Sequence, residues 1–215
     1  MTSTTKAIIE PLRLISQYGR SEMTIDIYLK HLSPFLTEES VNHSLAVAEL
    51  MSRMAPKDDR DSWYVAGLLH SLVEEPSIWP DDSATIKAAI LKRAKVKPDV
   101  ATCLCSYRRI ADPRRWGSLM TALYFADIHT DLSGHILTTE ECCSINKGCL
   151  RCNECRYAKY NLSESGEESA AEQAIRELAA ELDIREEKRR SEERMREVKN
   201  EHEQQKKQQL AERCS

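Results

Sequence analysis

The chain predicts an all-α fold. Glycine is scarce, at six of 215 residues. The alternating β-branched runs that mark strands are nearly absent, while apolar residues recur at helical spacing through successive short segments. Almost all the core-forming Leu, Val, Ile, Trp and Tyr residues lie before about residue 132, so one helical domain followed by appendages is expected.

The elements follow in order. Residues 6–18 (KAIIEPLRLISQY) predict a first helix, with Pro11 either kinking it or opening its second half. Residues 23–32 predict a second, ended by Ser33-Pro34. Thr37 followed by Glu38 and Glu39 is an N-terminal signal for a third helix, on which His43, Val47, Leu50 and Met54 share a face and which Pro56 closes. Asp58 or Asp59 opens a fourth, whose run from Trp63 to Leu72 reads as buried nearly all round. Ser83–Lys95 and Pro98–Ile110 give two more, and Pro113 is expected to begin the helix that carries Asp127. Six or seven short helices with short loops make a compact bundle over residues 1–132.

The character then changes. Five of the eight cysteines, Cys142, Cys143, Cys149, Cys152 and Cys155, fall within a cysteine-rich segment placed at 133–160. A polar linker, NLSESGEES, opens the last region, 161–215. Beyond it an apolar stripe (Ala171, Ala174, Ile175, Leu178, Ala179, Leu182) gives way to a long charged helical tail. Pairs such as Glu186/Arg190 and Glu203/Lys207 stand at i, i+4, each contributing ~0.2–0.5 kcal/mol to a solvated helix. The tail offers a surface for a protein partner.

Charge and hydropathy exclude some classes. A net charge of −4 gives no global attraction to nucleic acid or anionic membrane. No apolar run approaches the roughly 20 residues of a membrane span. No signal-peptide pattern opens the chain, so a cytoplasmic protein is expected.

Three apolar segments each carry one metal-capable side chain: NHSLAVAELMSRMA with His43, YVAGLLHSLVEE with His70, and TALYFADIHTD with Asp127. Separations of 27 and 57 residues place the three on different helices, from which they can converge on one cation in a bundle core. These segments resemble the HD superfamily of metal-dependent phosphohydrolases, whose pattern is a His, then a His-Asp pair, then a distant Asp. The resemblance implies an HD-type bundle with His43, His70 and Asp127 as metal ligands and His70 and Asp127 as catalytic residues. It departs from the family at Ser71, which stands where the pair has its carboxylate and is a poor, neutral ligand for a hard cation. Glu74 or Glu75 is a substitute ligand, displaced by about one turn, ~5 Å. Residues 71–126 hold no His, so a second metal is not expected. His129 and Asp131, close behind Asp127, are not read as ligands, and His129 should point away from it.

The segment YRRIADPRRW carries Arg108, Arg109, Arg114 and Arg115, whose planar guanidinium forks suit a phosphate-bearing small molecule. The cysteines read as C-x6-C-x2-C-x2-C from Cys142 or C-x5-C-x2-C-x2-C from Cys143. Such spacing wraps an iron–sulfur cluster or a zinc ion, with reduced free thiols as the alternative. Three functions compete: an HD-type phosphohydrolase binding or cleaving a nucleotide or related phosphoester; a non-catalytic HD-fold signalling or sensor module with the cysteine site; and a nucleic-acid-associated protein, which the acidic balance disfavours. Whether the chain is an enzyme stays open at Ser71.

Overall fold

The computed structural model describes residues 3–76, 78–79, 84–106, 117–137 and 141–142, all within a unit spanning Met1–Arg176. The cysteines from Cys143 onward, Arg108, Arg109, Arg114 and Arg115, and the charged tail lie outside the described residues. Among the described residues the fold is all-helical: α1 (Ser3–Tyr18), α2 (Glu22–His31), α3 (Glu38–Met54), α4 (Arg60–Glu74), α5 (Ala84–Arg93), α6 (Pro98–Ser106) and α7 (Ser118–Ile128). Single 3-10 turns precede α3 and α4, and among the described residues the one pairing between extended residues is an isolated bridge from Thr130 to Ile136. No helix among them is long and apolar enough to cross a membrane.

Local chemistry sets the helix ends. The Ser21 hydroxyl caps α2 by accepting from the Thr24 N–H, and Thr37 caps α3 by accepting from the Ser40 N–H, each satisfying an otherwise orphaned donor. Pro11 sits inside α1 without ending it. The face carrying Ile8, Leu12 and Ile15 is fully buried, so packing outweighs the lost backbone donor. α1 opens at Ser3, three residues before the expected start, and two other boundaries differ from the sequence reading for a visible reason. The last helix starts at Ser118, not Pro113, because Gly117 is extended (φ −79°, ψ 168°). The fifth ends at Arg93, because Lys95 turns into the left-handed region at φ 57° while the Val96 N–H closes back on the Leu91 carbonyl.

The central helix is α4. Every residue from Ser62 to His70 is buried, as are Leu72 and Val73, and α4 packs against α3, α6, α7 and α1. It approaches α3 closely at Gly67, where a β-carbon would stand 2.7 Å from the Ala48 Cα. Only hydrogen fits there. That contact sets the spacing of the two helices that carry the histidines.

Candidate metal centre

Each of the three residues reaches the centre from its own helix. His43 stands in the second turn of α3, on the face that buries Val47, Leu50 and Met54. His70 comes from the last turns of α4 and is 3% exposed. Asp127 comes from the end of α7, its side chain 14% exposed. Their ligand atoms all lie within 4.8 Å of one another, so this group can hold a metal ion. The sequence reading placed these residues together, and the structure brings them together.

Hydrogen bonding fixes what the imidazoles offer. His70 Nδ1 donates to the Gly67 carbonyl at 2.6 Å, and His43 Nδ1 donates to the Asp131 carbonyl at 3.0 Å. A carbonyl can only accept, so both Nδ1 atoms carry protons and each neutral ring presents a lone pair at Nε2. Both Nε2 atoms face the same carboxylate oxygen: Asp127 Oδ1 lies 3.0 Å from His43 and 3.5 Å from His70. Three electron-rich atoms converge, a geometry that calls for a cation or a proton among them. The two separations from Asp127, 3.0 and 3.5 Å, bracket the ~3.3 Å edge of a tetrahedral site with bonds of about 2.0–2.1 Å, and the whole group lies within 4.8 Å. The donor set, two imidazoles each backed by a carbonyl and one carboxylate, fits a borderline or hard divalent ion.

Without a metal, His43 and Asp127 bond each other directly at 3.0 Å. Burial lowers the His43 pKa, but the Asp127 bond and the Asp131 carbonyl outweigh it, and the net direction is upward.

Asp131 has a second duty. Its Oδ1 accepts from the Ser133 N–H (2.9 Å), the Ser133 hydroxyl (2.6 Å) and the His135 N–H (2.9 Å), tying the chain after α7 into a turn. Burial alone would raise the Asp131 carboxyl, but these bonds hold it below the usual range. The turn passes Gly134, at φ 84°, where a β-carbon would meet the Asn42 carbonyl oxygen at 2.9 Å. It thereby delivers the Asp131 carbonyl to His43.

His129 is not part of the centre. It is fully buried, stacks on Phe125 at 4.4 Å and donates from Nδ1 to the Leu137 carbonyl. Ser71 Oγ lies 3.2 Å from His70 Nε2 and lines the site without adding charge. Ile136, Leu137 and Cys142 are buried as well, and the Cys142 thiol faces the Ile128 carbonyl at 3.6 Å.

The centre opens into a cleft of about 540 Å³. The segment entering α3 contributes Leu36, Ser40 and His43. The end of α4 contributes His70, Ser71, Glu74 and Glu75, and the end of α7 with its turn contributes Asp127, Ile128, Thr130, Asp131 and Leu132. Comparison with known proteins adds no relative: no family model, curated protein or solved structure matches this chain significantly. The geometry stands alone.

Two features escaped the sequence reading. Gly67 carries the helix contact and the His70 acceptor, and a lone glycine in a helix gave only a weak signal of close approach. Asp131 serves through its carbonyl, which no side-chain pattern reveals.

Proposed function

We propose that the protein is a mononuclear metal-dependent phosphohydrolase of HD type, with His43, His70 and Asp127 as the three protein ligands. The observation that carries this reading is the convergence on Asp127 of two Nε2 atoms, each from a ring whose Nδ1 is bonded to a carbonyl, beside an open cleft. Three protein ligands with a position left open is the arrangement of a catalytic rather than a structural metal site. A bound divalent ion would supply charge to a phosphoryl oxygen and lower the pKa of a water. The chain's own part is to hold the imidazoles in one tautomer and to offer Glu74 and Glu75 along the cleft as acceptors for the water's proton.

The phosphoester class comes from the resemblance of NHSLAVAELM, AGLLHS and YFADIHTD to HD segments, with which the all-helical bundle is loosely compatible. A nucleotide is the substrate type this suggests, with Arg108, Arg109, Arg114 and Arg115 as its phosphate contacts. A second reading, a non-catalytic HD-fold sensor, is favoured by one observation. Ser71 engages His70 Nε2 at the position where the family has its second carboxylate. In that case an iron–sulfur cluster or zinc at the cysteines would be the sensing element.

The test is a titration of the metal-free protein with manganese and zinc, followed by phosphoester hydrolysis assays. One ion per chain, with binding and hydrolysis both lost in His70→Ala, supports the hydrolase. One ion without turnover supports the sensor. Absence of binding overturns both.

A further inference from the structure

The cleft beside the metal centre has apolar lining from two of its three contributing elements, and none from α4. Leu36 ends the 3-10 turn before α3, while Ile128 and Leu132 flank the turn after α7. From α4 and its C-cap come only the polar groups His70, Ser71, Glu74 and Glu75. Among the described residues Leu132 is the most exposed of the large apolar side chains, at 63%. An exposed leucine alone needs no explanation. This one sits on the turn that Asp131 ties down with three side-chain hydrogen bonds, and the Gly134 N–H adds a fourth bond to the Asp131 carbonyl. It is also beside the residue that orients His43. The side chain is therefore presented at the cleft by the same turn that builds the metal centre, and its apolar surface is still wet.

We propose that Leu132, with Leu36 and Ile128, is a specificity-determining shelf, and that the favoured ligand is a phosphoester whose alcohol portion carries a flat ring with apolar faces. The inference deepens the hydrolase reading and rests on it. A phosphate group placed at the metal centre leaves its ester substituent in the remaining cleft. A ring laid on the shelf would remove apolar area from water on both sides. Because the turn is already fixed, little backbone ordering opposes that gain. Leu132 touches the substituent and not the reacting phosphorus, so it acts on affinity and not on the chemical step.

The test uses calorimetric titration of the manganese-loaded full chain with inorganic phosphate, methyl phosphate and phenyl phosphate. Phenyl phosphate is expected to bind about tenfold more tightly than methyl phosphate, equivalent to ~1.4 kcal/mol. Leu132→Ser should bring that ratio close to one, and Leu36→Ala should lower it in the same direction. Equal affinities of the two esters in the unaltered protein, or a ratio that survives Leu132→Ser, would overturn the shelf while phosphate binding kept the hydrolase reading intact. If neither ester nor inorganic phosphate bound the metal-loaded protein, the hydrolase reading would fall and the shelf with it.

Discussion

Replacing Gly67 by alanine should damage the metal centre more than it damages the fold. The new β-carbon would stand 2.7 Å from Ala48 Cα, 2.9 Å from Ala48 N and 3.1 Å from the Val47 carbonyl carbon, whereas ordinary contact begins at 3.4 Å. All three obstacles are backbone atoms, so no side-chain rotation relieves them and α3 and α4 must part by about 0.7 Å. Overpacking of this kind costs ~1–3 kcal/mol. Alanine's better helix propensity offsets ~1 kcal/mol of it, leaving a net loss of about 0–2 kcal/mol. The site has less tolerance. His43 is on α3 and His70 on α4, and ligand distances must hold within about 0.2 Å. Manganese affinity should therefore fall at least tenfold while the apo-protein stays folded. Urea unfolding measures the first effect and calorimetric metal titration the second. Shaving Ala48 to glycine in the same chain should not rescue either, because its Cα and N are the obstacles. Full metal affinity in Gly67→Ala, or a gain in stability of ~1 kcal/mol, would refute the close-packed interface.

Three further outcomes are expected. The His43 pKa is raised in the folded apo-protein, so the stabilisation from its bond to Asp127 is complete below the unfolded value and is lost as pH rises through the folded one. Apo-stability should thus decline upward through that window while metal affinity climbs as the proton leaves, and Asp127→Asn should flatten the first trend, read by urea unfolding across pH. Lys95→Gly should raise stability by about 0.5–1 kcal/mol, since glycine adopts φ 57° without a β-carbon clash, read as an upward shift of the urea midpoint. Ser71→Asp should strengthen manganese binding by roughly tenfold, or ~1.4 kcal/mol, by adding charge beside His70, and unchanged affinity in a titration would show that position 71 cannot reach the ion.

Helix positions were legible because they follow from near-neighbour chemistry. The Thr37 cap, the buried face of α3 and the all-round burial of α4 depend on residues a few places apart, and each stands where the pattern puts it. The gathering of His43, His70 and Asp127 was expected from the resemblance of their segments to the HD pattern, with helix spacing placing them on three different helices. What the pattern missed depends on tertiary approach. Nothing local to Gly67 says that α3 passes within contact of its α-carbon. Gly117 delays α7 and Lys95 ends α5 through backbone conformations for which neighbouring propensities gave no warning.

The Asp131 turn explains how a site with a neutral Ser71 beside His70 can still be well ordered. In a metal site the ligands must be aimed before the ion arrives, and imidazoles are aimed through the nitrogen that does not bind. Here His70 is aimed from within its own helix, by the Gly67 carbonyl three residues back. His43 has no such acceptor on α3 and takes one from a residue 88 positions away, the Asp131 carbonyl. That carbonyl is fixed because the Asp131 carboxylate is spent on the turn and because Gly134 lets the turn close against Asn42, next to His43 in sequence. Asp131 is therefore the acid that the centre cannot lose without also losing the aim of a ligand, although it was set aside as a ligand itself. Ser71 adds no charge to the group, but it leaves the aim of both imidazoles intact, and aim is the property this fold has invested in.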